Sequence, residues 1–278
     1  MSKSDVVLRV AGAAGDGIAS TGEAFAKICS RSGLHLLAYN SYQSVIRGGF
    51  IWLQIRASHE KVLSHGNKVD FLIALNQREF TRNCVDIAPG GAILYNSDKI
   101  KPNKDNINGN IILCPLPVGQ IIKDIGRNPI LQNTVALGAL IKLLDLDFDN
   151  MANVIRDYFG KKKQTAMEVN LKVSKAGYDY AEKNLPKFDF KLETNLDNKR
   201  PVLTGNQALS LGSISAGCRF YAAYPMTPAS SILHWLSAHS TQTGMVVKQA
   251  EDEIAVINMA IGASFAGARS MVGTSGGG

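Results

Sequence analysis

"VVLRVAGAAGDGIASTGEAFAKICSRSG", residues 6–33, decides the fold class. It opens as a short apolar run ending at Gly12, "AAGDG" turns the chain, and "IASTGEAFAKICSRSG" then repeats apolar residues at helical spacing until Gly33 stops it. A strand, a glycine turn and a helix in that order are the first unit of an α/β sheet covered by helices.

The pattern repeats downstream. "LHLLAYN" (34–40) reads as a second buried strand, "FIWLQIRAS" (50–58) as a strand with one wetter face, and "VDFLIALN" (69–76) as a core strand. "REFTRNCVDIAPG" (78–90) reads as a helix ending in a Pro-Gly turn, followed by strands in "GAILYN" and "NIILCPLP". Three helical stretches follow, from Asn128 to Leu185, which closes a first domain over residues 1–185. "PKFDFKLETNLDNKRPVLTG" then breaks the pattern. It is polar, carries Pro186 and Pro201 and has no amphipathic period, so residues 186–201 are predicted to be an interdomain linker.

Residues 202–278 start a second α/β pattern. "GNQALSLGSISAG" is a helix, "CRFYAAYP" a strand, "GMVVKQ" a strand, "EDEIAVINMAIGASFAG" a helix and "ARSMVG" a strand that runs into "TSGGG". A parallel strand entering a glycine loop needs a covering helix and a further strand. This domain therefore reads as an unfinished unit: a fragment of a longer chain, or one that a partner completes.

Composition removes several function classes. The net charge is +7, yet the one dense basic run, "GKKKQ" around Lys161, has no interleaved aromatics, and no recognition helix accompanies it. Nucleic acid is not expected, whereas an enzyme of anionic substrates or acidic partners fits the charge. No apolar run approaches the ~20 residues of a membrane helix. "MSKSDVVLRV" has no signal-peptide core, which predicts a cytoplasmic protein. Cys29, Cys84, Cys114 and Cys218 have no CxxC spacing, so neither a metal or cluster site nor a disulfide is expected on this chain.

Four stretches can carry chemistry. The glycine loop Gly12-Ala-Ala-Gly-Asp-Gly17 has the context of a dinucleotide fingerprint but Ala13-Ala14 inside it, and no acid ends the second strand to hold a ribose. Tight strand–helix packing is the default there, with a phosphate at the helix N-terminus as the alternative. Arg47 in "SVIRGGF" is either a surface arginine beside a turn or an anion ligand on closely approaching backbone. "AAYPMTPASS" (222–231) frames Thr227 between Pro225 and Pro228, with Ser230 and Ser231 placed to cap the next helix. "EDEIAVINMAIGASFAG" puts Glu251, Asp252 and Glu253 ahead of a helix that is apolar nearly all round and is predicted to be buried. The helix dipole accounts for one or two of these acids, and at least one is expected to face a low-dielectric site. Thr227, the acids and "TSGGG" all follow strands and so should meet at one sheet edge.

In order and spacing, "YPMTP", "QAEDEIA", "GASFAGAR" and "TSG" resemble the 2-oxoacid:acceptor (ferredoxin) oxidoreductases. The match is to an alpha subunit with a gamma-type domain fused at its N-terminus. "RVAGAAGDGIASTGEAF" and "SYQSVIRGGFIWLQIR" are similar to the gamma domain, departing from it at Ala14 and at Val45 before Ile46-Arg47-Gly48-Gly49. The implied fold is α/β: a Rossmann-like gamma domain, then an incomplete pyrimidine-binding thiamine diphosphate domain. The implied reaction is oxidative decarboxylation of a 2-oxoacid to its acyl-CoA, with electrons passed to ferredoxin.

The resemblance implies roles residue by residue. Thr227, with Tyr224 and Arg47, would bind the 2-oxoacid. Glu253, nine residues before Gly262, would bond the aminopyrimidine and favour the tautomer that removes the thiazolium C2 proton. Glu251, Ser275 and Gly276 would line the same cofactor. It implies a hetero-oligomer whose beta subunit shares the thiamine diphosphate and carries the Mg²⁺ and an iron–sulfur cluster, with coenzyme A as co-substrate. Two alternatives stand beside it: a non-catalytic assembly or regulatory subunit of the same fold, and a dinucleotide-binding dehydrogenase.

Overall fold

Strand β1 (Asp5–Ala13) is buried from Val6 to Gly12, which places it at the centre of a sheet. The structure is a computed structural model that describes residues 4–13, 15–41, 50–103, 107, 109–126, 131–160, 163–190, 192–276 and 278. It divides into two compact units, Met1–Pro201 and Val202–Gly278.

After β1 the first unit runs α1 (Ile18–Arg31), β2 (His35–Asn40), β3 (Phe50–Ser58), β4 (Val69–Ala74), α2 (Gln77–Asn83), β5 (Ile87–Asn96), β6 (Ile112–Leu116) and α3 (Val118–Ile121). Helices α4 (Leu131–Leu143), α5 (Phe148–Phe159) and α6 (Gln164–Asn184) complete it. The strands form one sheet in the order β2-β3-β1-β4-β5-β6. β1, β4, β5 and β6 are parallel, and β3 pairs antiparallel with both β1 and β2. "LHLLAYN", expected to be a buried strand, is the edge: β2 is half-buried to exposed, with Tyr39 49% exposed. Apolar run length alone does not separate a central strand from an edge one. The expected helix at 78–90 stops at Asn83, and its Pro-Gly turn lies inside β5, beside a register shift between Val69 and Phe71 of β4.

Arg9 sits mid-strand in β1 and is 6% exposed. It is tolerated because its guanidinium donates to Gln54 Oε1 (2.8 and 3.0 Å), Asn83 Oδ1 (2.9 Å) and Asp86 Oδ2 (2.5 Å) and lies 4.6 Å from the centre of the Trp52 ring.

The stretch predicted as a linker is tied to the first unit. Phe188 and Phe190 pack 5.0 and 5.2 Å from the Phe71 ring, and with Leu192 they rest on the main core. The Asn195 and Arg200 amides donate to Ser32 O (2.8 Å) and Ser30 O (3.0 Å), and Arg200 Nε donates to Gly33 O (2.8 Å). "FDFKL" alternates apolar and polar residues, the period of two that suits a packed extended segment. A segment of this kind has no helical period.

The second unit holds α7 (Gly205–Ser215), β7 (Phe220–Ala223), α8 (Ser230–Thr243), β8 (Val246–Gln249), α9 (Glu253–Phe265) and β9 (Ser270–Gly273). Its strands are parallel in the order β8-β7-β9. Arg219, Lys248 and Arg269 balance Glu251, Asp252 and Glu253, so the chain's positive excess belongs to the first unit. Helix α9 corrects the expectation of burial. Val256 and Ala260 are buried against the sheet, whereas Ile254 and Phe265 are 74% and 95% exposed. A helix apolar on every side needs cover on every side, and this unit packs on one of them. Among the described residues no helix is long and apolar enough to cross a membrane.

Candidate active site

Strand order reverses at β7. The chain leaves β7 through residues 224–229, passes α8 to β8 on one side, then returns along α9 to β9 on the other. Loops leaving β7 and β9 therefore diverge at the carboxyl edge, where open parallel sheets form a binding crevice. Thr227 is exposed in the first of these loops, and its peptide bond to Pro228 is cis. Ser275, in the second loop, donates its hydroxyl to Thr227 O at 2.8 Å and ties the two loops together.

The three acids have separate places. Asp252 is the N-cap of α9 and accepts from the Ala255 amide at 2.7 Å. Glu253, the first helical residue, is half-buried and faces the glycine loop: a Cβ on Gly278 would lie 2.8 Å from its Oε1 and would collide with the Thr274 hydroxyl. Glu251 is exposed, next to Ala250, whose amide donates to Ala223 O at 3.1 Å. Thr227, Ser275 and Glu253 thus meet around one bare-backbone loop, where Gly276 takes a φ of 59°. Tyr224, at the end of β7, is 37% exposed. Arg47 lies outside the described residues.

Ser230 and Ser231 do not cap α8. Its N-cap is Ala229, which makes no side-chain cap, and the Ser231 hydroxyl turns back to Pro228 O at 3.3 Å.

Beneath the crevice lies Tyr221, fully buried on β7, its ionisation pushed up by burial. Among the described residues its hydroxyl has no hydrogen-bond partner, and a Cβ on Gly273 would collide with it. Gly273→Ala is therefore expected to destabilise the protein by about 1–3 kcal/mol. Adding Tyr221→Phe removes the obstructing oxygen and should recover most of that loss in a denaturant melt. An undiminished loss in the double variant contradicts this contact.

In the first unit, the glycine loop is filled by its own aspartate. The Asp16 carboxylate accepts from the Ala13 amide (2.7 Å) and Asn76 Nδ2 (3.1 Å), and Asn133 Nδ2 donates to Asp16 O (2.6 Å). A carboxylate at that amide disfavours a pyrophosphate there and favours the packing interpretation of the loop. All four cysteines are buried thiols outside any disulfide, with the ionisation of Cys114 pushed up to about 12 by desolvation. Among the described residues no cluster of His, Cys, Asp or Glu is placed to hold a metal ion.

Residues 7–180 match the profile of a family described as pyruvate ferredoxin/flavodoxin oxidoreductase. Residues 211–278 match one described as pyruvate flavodoxin/ferredoxin oxidoreductase, thiamine diphosphate-binding. Among curated proteins the chain is similar to 2-oxoglutarate oxidoreductase subunit KorA of Mycobacterium tuberculosis (30% identity over 98% of this chain and 47% of that protein). It is also similar to 2-oxoacid:ferredoxin oxidoreductase subunit alpha of Sulfolobus (27%, over 96% and 49%). Among solved structures it resembles 2-oxoglutarate:ferredoxin oxidoreductase of Magnetococcus marinus, described with 2-oxoglutarate, coenzyme A and succinyl-CoA bound. There the TM-score is 0.89 and the identity 34%, over 99% of this chain and 48% of that one. A gamma subunit of keto/oxoacid ferredoxin oxidoreductase from Geobacter sulfurreducens matches with TM-score 0.52 and 26% identity, over 64% of this chain and 99% of that one. The chain spans about half the length of the curated relatives it matches.

Proposed function

Since the chain belongs to the pyruvate ferredoxin/flavodoxin oxidoreductase family, we propose that it is part of a cytoplasmic 2-oxoacid:ferredoxin oxidoreductase and supplies the pyrimidine side of its thiamine diphosphate site. The observation that carries this is the meeting of Thr227, Ser275 and Glu253 at the strand-order reversal. A carboxylate facing bare backbone suits the edge of an aminopyrimidine, which offers a ring nitrogen and an amino group. When bound, thiamine diphosphate supplies an acidic carbon that becomes a nucleophile and a sink for the electron pair released on decarboxylation.

This chain's residues do the positioning. Glu253 holds the pyrimidine ring nitrogen and shares its proton, while Ser275 and Gly276 let the ring approach backbone. The Thr227 hydroxyl donates to the 2-oxoacid, assisted by Tyr224. Arg47, as an anion ligand, and Glu251, beside the cofactor, complete the assignment. The balanced reaction takes a 2-oxoacid, coenzyme A and two oxidised ferredoxins to acyl-CoA, carbon dioxide, a proton and two reduced ferredoxins. A beta subunit provides the Mg²⁺ and the iron–sulfur cluster.

Thr227→Val tests the substrate contact. It keeps the shape of the loop but leaves a buried polar group of the bound substrate unpaired, so kcat/KM for the 2-oxoacid should fall by about 1–3 kcal/mol. Thiamine diphosphate affinity should stay near wild type. An unchanged kcat/KM would remove Thr227 from the site.

A further inference from the structure

We infer that Asn206 is a positioning residue for the Thr227 hydroxyl, acting through the carbonyl of Pro228; the inference rests on Thr227 binding the 2-oxoacid. Asn206 is the second residue of α7. Its side-chain amide donates to Pro228 O at 2.9 Å and to Ser231 Oγ at 2.6 Å. From the loop after β9, Ser275 donates to Thr227 O at 2.8 Å. Two successive carbonyls of the loop are thus held by side chains from two different elements. Thr227 O belongs to the Thr227–Pro228 peptide plane and Pro228 O to the next one, so the two bonds hold the planes on either side of the Pro228 Cα, and with the fixed φ of the proline ring they limit the direction in which the Thr227 Cα presents its side chain.

Helix α7 does not need Asn206 to begin. The Thr204 hydroxyl accepts from the Gln207 amide, and the Gln207 side chain accepts from the Thr204 amide, a complete capping box. The amide of Asn206 is therefore free to serve the loop rather than its own helix. Orientation of this kind matters kinetically, because small displacements of a substrate-contacting group lower rate without removing any contact.

The test uses Asn206→Asp, Thr227→Val and their combination in the assembled enzyme. An acid in the first turn suits the helix dipole, so the melting temperature should hold, yet a carboxylate has no N–H to give Pro228 O. Asn206→Asp is expected to lower kcat/KM for the 2-oxoacid about 3- to 10-fold. It should also speed amide deuterium uptake across residues 226–231, a readout independent of turnover. In the Thr227→Val background the further loss should shrink to less than about twofold, because the group being positioned is gone. A full, multiplicative loss on top of Thr227→Val overturns the inference, as does wild-type deuterium uptake in Asn206→Asp. A silent Thr227→Val instead overturns the substrate assignment itself, so the two failures are told apart.

Discussion

Glu253→Gln in the assembled enzyme is expected to slow deuterium exchange at the thiazolium C2 of bound thiamine diphosphate by about 10²-fold or more. Glutamine keeps the volume and a hydrogen-bonding group at the start of α9, but it cannot share a proton with the pyrimidine. The half-buried place of Glu253 against the glycine loop makes it the acid of the three that reaches the crevice. Glu251 is exposed, and Glu251→Gln should exchange near the wild-type rate. Slowed exchange in Glu251→Gln with normal exchange in Glu253→Gln would move the catalytic role to Glu251. Normal exchange in both would leave the acids as a helix start and nothing more.

The largest stability effect is expected where α4 crosses α6. A Cβ on Gly138 would collide with the carbonyl of Ser174, and one on Gly177 with the carbonyl of Val135. Both obstacles are backbone, which cannot rotate aside, so the helices would have to separate. Val135, Ala139, Leu140 and Ile141 of α4 are fully buried and would move with them. Gly138→Ala and Gly177→Ala should each cost at the upper end of about 1–3 kcal/mol, outweighing the ~1 kcal/mol that alanine ordinarily gains in a helix. Gly212→Ala on α7 is the control. Its Cβ would meet nothing within 4 Å, so stability should rise by about 0.5–1 kcal/mol. Thermal melts of the three variants decide it, and equal behaviour of all three would contradict the crossing.

The fold was legible where local pattern and tertiary environment agree. β1, the glycine turn and α1 follow from residues 6–33, and "VDFLIA" is buried throughout as β4. It was illegible where a neighbour decides. The antiparallel insertion of β3 beside β1 leaves only the partial alternation of "FIWLQIRAS", which does not name its neighbours, and nothing in residues 6–12 names Gln54, Asn83 and Asp86 as the partners of Arg9. At the candidate site, the strand ends predicted a shared edge, and Thr227, Ser275 and Glu253 share one. Which of Glu251, Asp252 and Glu253 caps α9 and which faces the glycine loop was not legible from the residue types, because successive residues at a helix start point in different directions; the resemblance alone singled out Glu253. Asn206 carried a weak signal, a polar residue beside a capping box, but its partner lies 22 residues away.

Reduction of a viologen dye by the assembled enzyme, with thiamine diphosphate and coenzyme A present, tests whether the chain serves 2-oxoacid oxidation. A panel of 2-oxoacids should begin with 2-oxoglutarate, the acid named for relatives of this chain. Dye reduction should require both a 2-oxoacid and coenzyme A and yield the matching acyl-CoA. Absence of 2-oxoacid-dependent reduction across the panel, in an enzyme shown to hold its thiamine diphosphate and its iron–sulfur cluster, would contradict that role.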